Sequence, residues 1–360
     1  MSRAGASPWG GVIAEYRDWL PVTADTPVVT LGEGGTPLVE SGWLSSVTRC
    51  SVWLKVEANN PTGSFKDRGM TLAISCAVEQ GAEAVVCAST GNTSASMAAY
   101  SARAGLRPLV LVPEGKIARG KLAQAILYGA RLIAVRGGFD SCLEVARALA
   151  KDYPVSLVNS VNPMRLEGQK TAAFEIVDVL GSCPDVHVLP VGNAGNISAY
   201  WKGFREYVDA GRAPRTPALW GFQAAGAAPL VSGQVVRFPE TVATAIRVGN
   251  PASWLLAEAA RDESGGVIEA VTDRQILQAQ HDLAVRDGVF VEPASAAGVA
   301  GLLARCAAGK VTPDQTITVT VTGHGLKDVE TAMDFRGAVK EVVVDADVDQ
   351  AAAAAGLLSA

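Results

Sequence analysis

Asn60-Pro61-Thr62-Gly63-Ser64-Phe65-Lys66-Asp67-Arg68-Gly69 is the stretch around which the chain is organised. An apolar run, Val52-Trp53-Leu54-Lys55-Val56, leads into it, and a helical pattern from Asp67 to Gln80 leads out. Pro61 and Gly63 punctuate a turn between them, and Ser64 or Thr62 is positioned to cap the helix. Lys66 is therefore expected at a strand-to-helix junction. A protonated amine with an ordinary pKa of about 10.4 is a poor nucleophile, and a desolvated site lowers that value. Taken alone, a lysine at a helix start is a solvated surface charge. The flanking Ser-Phe-Lys-Asp-Arg argues for chemistry instead.

Outward from this stretch, short apolar runs alternate with helical patterns. Ala84–Ser89, Pro108–Pro113, Leu132–Val135, Val155–Val158, His187–Val191, Leu219–Phe222 and Ile317–Val321 read as strands. Ser94–Ala104, Lys121–Tyr128, Cys142–Lys151, Gly168–Leu180, Ile197–Ala210, Ile276–Val285 and Ala296–Ala307 read as helices. This repeated alternation with buried strand runs predicts an α/β fold built on parallel sheet. No internal repeat is visible. The segment Ala351–Ala360 is low in complexity and stands outside the expected chemistry.

Composition narrows the function classes. A chain of 360 residues suits two domains or one large α/β domain. With 49% apolar and 19% charged residues, a sizeable core is expected. A net charge of −5 without basic clusters leaves no electrostatic footprint for nucleic acid. Cys50, Cys76, Cys87, Cys142, Cys183 and Cys306 form no close pair, so neither zinc nor a disulfide framework fits. They read as reduced, mostly buried thiols of a cytoplasmic protein. Glu15, Arg17 and Asp18 interrupt the first twenty residues, which lack the apolar run of a signal peptide. No stretch approaches the roughly 18 apolar residues of a membrane span.

Two glycine-bearing loops and one β-run end carry further signal. Ser89-Thr90-Gly91-Asn92-Thr93-Ser94-Ala95-Ser96 follows a strand and opens a helix. Its hydroxyls and free N–H groups suit a carboxylate, and an over-capped helix is the equal alternative. Gly192-Asn193-Ala194-Gly195-Asn196 joins a strand to a helix, where glycine lets an anion approach backbone N–H groups. It lacks the Gly-x-Gly-x-x-Gly spacing of a dinucleotide site. Thr322-Gly323-His324-Gly325-Leu326-Lys327 ends the β-run from Thr316, and His324 either carries protons or shapes the glycine turn. Glu292-Pro293-Ala294-Ser295 reads as a helix start with proline in its first turn, and as structural lining.

Together these stretches resemble the pyridoxal-phosphate enzymes of the tryptophan-synthase-β type, fold type II, and within them the threonine synthase branch. The resemblance runs from about Gly34 to Asp328. It implies pyridoxal 5'-phosphate bound covalently by Lys66, which also serves as general base and acid. It implies that Asn92 meets the cofactor's 3′-oxygen and that Gly192, Asn193, Ala194, Gly195 and Asn196 cradle its phosphate. Thr322 would face the pyridine nitrogen, while Ser89, Thr90 and Thr93 would hold the substrate carboxylate. The implied architecture is two parallel or mixed-sheet α/β domains with the cofactor in the cleft between them. Residues 65–160 would form a smaller domain inserted in a larger one (1–64 plus 161–345), with 346–360 as a tail. The implied reaction converts O-phospho-L-homoserine and water to L-threonine and phosphate, in a cytoplasmic homodimer. A serine/threonine dehydratase on the same scaffold is the alternative.

Gly115-Lys116-Ile117-Ala118-Arg119-Gly120-Lys121 fits the first part of a P-loop, but Leu122 replaces the Mg²⁺-binding hydroxyl. Lys116 follows one strand, and Ser160 and Arg165 follow another, where cleft loops lie. A solvated surface is the plain reading of both cations. The resemblance gives them, with Ser160, a second anion to hold, the substrate's own phosphate.

Overall fold

The computed structural model describes residues 8–115, 119–337 and 341–357, with the backbone alone for 119–121. Its strands are β1 (Leu38–Glu40), β2 (Ser51–Val56), β3 (Ala84–Ala88), β4 (Arg107–Pro113), β5 (Arg131–Val135), β6 (Val155–Leu157), β7 (Val186–Pro190), β8 (Ala218–Ala224), β9 (Val267–Val271) and β10 (Thr316–Val321). The helices are α1 (Val12–Glu15), α2 (Gly42–Thr48), α3 (Lys66–Glu79), α4 (Asn92–Ala104), α5 (Arg119–Leu127), α6 (Phe139–Asp152) and α7 (Pro163–Leu180). They continue with α8 (Gly195–Asp209), α9 (Pro229–Ser232), α10 (Trp254–Glu263), α11 (Asp273–Asp287), α12 (Pro293–Ala307), α13 (Val329–Arg336) and α14 (Val348–Ala354).

The strands form two sheets, one ordered β1-β2-β10-β7-β8-β9 and the other β5-β4-β3-β6. Every pairing is parallel except β1 with β2. Helices cover both faces of the middle strands, so β3 and β7 are buried at every residue. The larger sheet carries a core of Leu54, Val188, Phe222, Val299 and Val319, and β3 and β4 contribute Val85, Cys87, Val110 and Val112 to another.

Strand order decides where ligands can sit. In the smaller sheet the chain runs from β3 outward to β5, then returns to place β6 on the other side of β3. In the larger sheet it runs from β7 outward to β9, then returns to place β10 beside β7. Such reversals open a crevice at the carboxyl ends of the strands. The loops after β3, β6, β7 and β10 are the ones singled out from the sequence, together with the turn after β2.

Several local expectations are corrected. Helix α3 starts at Lys66 with Phe65 as its N-cap and no side-chain cap. The Thr62 hydroxyl instead donates to Asp67 Oδ1 (2.6 Å), and Ser64 Oγ is buried without a partner. Helix α7 starts at Pro163, because Asn162 caps it by accepting from Met164 N and proline takes the first turn. Arg165 is thus in a helix, not a loop. Helix α10 and strand β9 were not anticipated, and part of the Ala-rich tail is helical as α14. No described helix is long and apolar enough to cross a membrane. The described cysteines are all free.

Candidate active site

Lys66 is the first residue of α3, half-buried, with Nζ 4.2 Å from the centroid of the Phe65 ring. Its amine is pushed down to about 7, by desolvation first and then by the Arg165 guanidinium, while Glu292 opposes the shift. A substantial neutral fraction near neutral pH makes this amine a nucleophile and a proton carrier. The turn that presents it is held from both ends. Phe65 N donates to the Thr322 carbonyl (2.9 Å) and His324 N to the Gly63 carbonyl (3.0 Å). Asp67 accepts from Thr62 N (2.7 Å) and from Ser96 Oγ (2.5 Å) on α4. Burial pushes the Asp67 carboxyl up to about 6 against those hydrogen bonds.

Two residues beyond Lys66, Arg68 anchors the whole element. Its guanidinium donates to both Glu57 oxygens (2.6 and 2.7 Å) and both Glu175 oxygens (2.6 and 2.7 Å). Lys55 Nζ adds a bond to Glu175 Oε2 (2.5 Å). Two cations and two carboxylates from β2, the turn after it, α3 and α7 thus form a balanced buried cluster. Glu175 is held down to about 2; its cationic partners outweigh desolvation. A separate recess of about 330 Å³, bounded by Trp9, Tyr16, Lys55, Glu175 and Asp178, contains none of the residues picked out for catalysis or binding.

Hydrogen bonds across the cleft bring the sequence-selected loops together. Asn92 at the start of α4 donates Nδ2 to Glu292 Oε1 (2.9 Å) and Oε2 (3.2 Å) at the head of α12. Asn193 Nδ2 donates to Ser160 Oγ, and Asn193 Oδ1 accepts from Ala252 N (2.6 Å). Lys327 Nζ reaches Gln124 Oε1 (2.5 Å) on α5. Asn159 clamps the end of β3 by pairing with Ala88 N (3.0 Å) and O (3.1 Å), just ahead of the half-buried Ser89, Thr90 and Thr93. Thr322 Oγ1 lies 2.8 Å from Ser295 Oγ, which also accepts from Gly323 N (2.8 Å).

In the Gly192–Asn196 loop, Ala194 takes a left-handed conformation (φ 66°) immediately before α8. A non-glycine residue there is uncommon and strained. The first N–H groups of a helix have no partners within it, which makes this end suited to an anion. A Cβ on Gly192 would fall 2.9 Å from Ile246 Cα, whereas one on Gly195 meets nothing nearer than 3.5 Å. The first glycine is demanded by packing; the second leaves space.

Arg165 is 2% exposed, packed so close to Gly69 that a Cβ there would lie 2.6 Å from the Arg165 carbonyl oxygen. Its Nη1 donates to the Val158 carbonyl (2.9 Å), and burial pulls its pKa down to about 10. Its burial rules out the plain reading of a solvated surface cation, and its charge reaches Lys66. Lys116 lies outside the described residues. His324 Nδ1 accepts from Leu326 N (3.1 Å) and caps the turn Gly325–Lys327, which is the turn-shaping role. Glu292, expected as lining, is the residue the sequence reading undervalued. Its Glu-Pro helix start was visible, but its carboxyl faces a partner 200 residues away.

Five buried side-chain polar atoms among the described residues have no partner, and three of them belong to residues singled out from the sequence: Ser64 Oγ, Arg165 Nε and Asn196 Nδ2. Buried polar groups are almost always paired, so a polar, anionic group fits what these residues leave unmet. A lysine with a depressed pKa beside them fits an aldehyde cofactor. The chain belongs to the family of pyridoxal-phosphate dependent enzymes, whose description residues 29–323 match. The threonine synthase of Mycobacterium tuberculosis (strain ATCC 25618 / H37Rv) is 60% identical over 339 residues, 94% of either chain. That of Synechocystis sp. (strain ATCC 27184 / PCC 6803 / Kazusa) is 54% identical over 98% of this chain and 93% of its own. The structure of maize serine racemase superposes with a TM-score of 0.73 at 20% identity, over 90% of this chain and 95% of that one. That last likeness shows the fold, type II of the cofactor's enzymes.

Proposed function

We propose that the chain is a threonine synthase, converting O-phospho-L-homoserine and water to L-threonine and phosphate. The observation that carries this reading is the 60% identity to a protein of that name over nearly the whole of both chains. In residue terms, Lys66 would hold the cofactor covalently. Asn92, Gly192, Asn193, Ala194, Gly195, Asn196 and Thr322 would bind its remaining groups. The orphaned Asn196 amide and the open space at Gly195 support the phosphate end. Bound there, the cofactor supplies an electron sink for the substrate's α-carbon.

The protein's own groups then manage protons and charge. Displaced from the cofactor by the substrate's own amine, the freed Lys66 Nζ would take the α-proton and, tethered beside the reacting carbons, return protons to the substrate as phosphate departs and water adds. Thr322 offers a neutral hydroxyl, which would orient the ring without holding its nitrogen protonated. Ser89, Thr90 and Thr93, at the start of α4, would receive the substrate carboxylate. Arg165, with Ser160 and Lys116, would attract the substrate phosphate. The unpaired Arg165 Nε supports this, because that guanidinium retains donor capacity. We read residues 65–160 as the smaller unit, which the smaller sheet supports since β3 to β6 all lie within it. A homodimer in the cytoplasm belongs to the same proposal.

The test is phosphate release and threonine formation from O-phosphohomoserine, run beside serine and threonine as substrates. Arg165→Ala should lower kcat/KM for O-phosphohomoserine while leaving the cofactor covalently held on Lys66. Deamination of threonine without turnover of the phosphorylated substrate would replace this reading with a dehydratase.

A further inference from the structure

Glu292 occupies the N-cap position of α12 without capping it: its side chain makes no bond to that helix. The carboxyl instead turns across the cleft to Asn92, both oxygens sharing the amide Nδ2 (2.9 and 3.2 Å). Its placement is exacting. Glu292 N donates to the Gly323 carbonyl (3.0 Å), and a Cβ on Gly323 would sit 2.4 Å from Glu292 Oε1. Gly323 is therefore required for the carboxyl to lie where it does.

The group is 6% exposed and makes no ion pair within 4.0 Å among the described residues. A carboxylate offers about four acceptor positions, yet here a single neutral amide serves it. Three charged groups face it: Lys66 from α3, and Lys327 and Asp328 from the turn after β10. Desolvation pushes its pKa up to about 7, against the pull of Lys327, the Asn92 hydrogen bond and Lys66. A carboxyl of this kind can gain or lose its proton near neutral pH. Lys66 feels its charge in return.

We propose that Glu292 is a positioning residue of the Lys66 site, fixing the Asn92 amide toward the cofactor and, when ionised, retaining the proton on Lys66 Nζ. A primary amide has two N–H groups. The one shared by the Glu292 oxygens orients the second, leaving it for the cofactor. The inference rests on the reading of Lys66 as the cofactor's lysine and adds a second proton-holding group to that site.

The test uses the full-length apoenzyme and pyridoxal phosphate. Trace acetylation of Lys66 by acetic anhydride over a pH series, read by peptide mass spectrometry, gives the pH of half-labelling. In Glu292→Gln this midpoint falls by roughly one unit, because a charge that favoured the ammonium is gone; in Glu292→Asp it returns part of the way. Cofactor affinity, from absorbance titration, falls about tenfold in Glu292→Gln and in Asn92→Ala, and the double variant falls no further than the worse single one. An unchanged midpoint together with additive losses of affinity overturns the proposal. Should Glu292→Gln fail to fold, Asn92→Ala decides. Loss of the amide leaves Glu292 less ionised, so the Lys66 midpoint again moves down, and a midpoint equal to the parent's overturns the proposal. Borohydride fixation of the cofactor on another lysine would instead defeat the Lys66 reading, whatever Glu292 does.

Discussion

Glu175→Gln removes one charge from the buried cluster that holds the start of α3. In the parent, Glu175 accepts from Lys55 Nζ (2.5 Å), Arg68 Nη1 (2.6 Å), Arg68 Nη2 (2.7 Å), Gly35 N (2.9 Å) and Thr36 N (3.3 Å). The charged side chains involved are at most 5% exposed. Lys55 and Arg68 balance Glu57 and Glu175, so the variant buries one uncompensated positive charge. Breaking such a pair from one side costs about 3–5 kcal/mol, a large part of the roughly 5–15 kcal/mol that keeps a protein folded. Lys55 is the escape route. Desolvation already lowers its pKa, and Glu175 is the first group holding it up. Its folded pKa falls further in the variant, below an unfolded value of about 10.4. A base depressed on folding loses stability as pH falls toward its folded pKa, so the deficit narrows as pH rises. Urea unfolding of the apoenzyme, followed by tryptophan fluorescence at two pH values, measures both the loss and its slope. Lys55→Met added to Glu175→Gln restores the charge balance and should recover more than half of the loss. A loss below about 1 kcal/mol, the worth of a surface pair, would refute the cluster as the anchor of α3.

Capture of pyridoxal phosphate by the apoenzyme should accelerate as pH rises through about 7 and then level off, since the neutral Lys66 amine is the reactive form; acceleration continuing toward pH 10 would contradict the depressed pKa. Borohydride reduction and peptide mapping should place the pyridoxyl group on Lys66, and Lys66→Ala should abolish turnover. Gly195→Val should weaken cofactor binding with little change in apoenzyme melting temperature, because a Cβ there meets no protein atom closer than 3.5 Å; Gly192→Ala should lower the melting temperature first. Thr322→Ala should be mild, lowering cofactor affinity by about 0.5–1.5 kcal/mol, the net value of one neutral hydrogen bond.

Local signals in the chain were enough for the class. Strand and helix periods are short-range, so β3, β4, β7, β10 and the helices α3, α4, α8 and α12 were legible within a few residues of their ends. The Ser-Phe-Lys-Asp-Arg turn, the Gly192–Asn196 loop and the end of the Thr316–Val321 run were legible too, because each is a strand-to-loop transition with its own residue chemistry. Parallel order then put these loops at the carboxyl ends of two sheets. What escaped depends on partners far away in sequence. Thr62 and Ser64 look like helix caps, but Asp67 takes the Thr62 hydroxyl and leaves Ser64 unpaired. Arg165 looks solvated, yet α3 and α7 pack so closely at Gly69 that its guanidinium is enclosed. Glu292 looks like one more charge at a helix start. Only the approach of α4 to α12 across the cleft gives it Asn92 and desolvates it. Residue type and spacing were enough to single out the loops that stand at the strand ends. Burial, which raises or lowers a proton's hold by the company a side chain keeps, was decided by the tertiary structure.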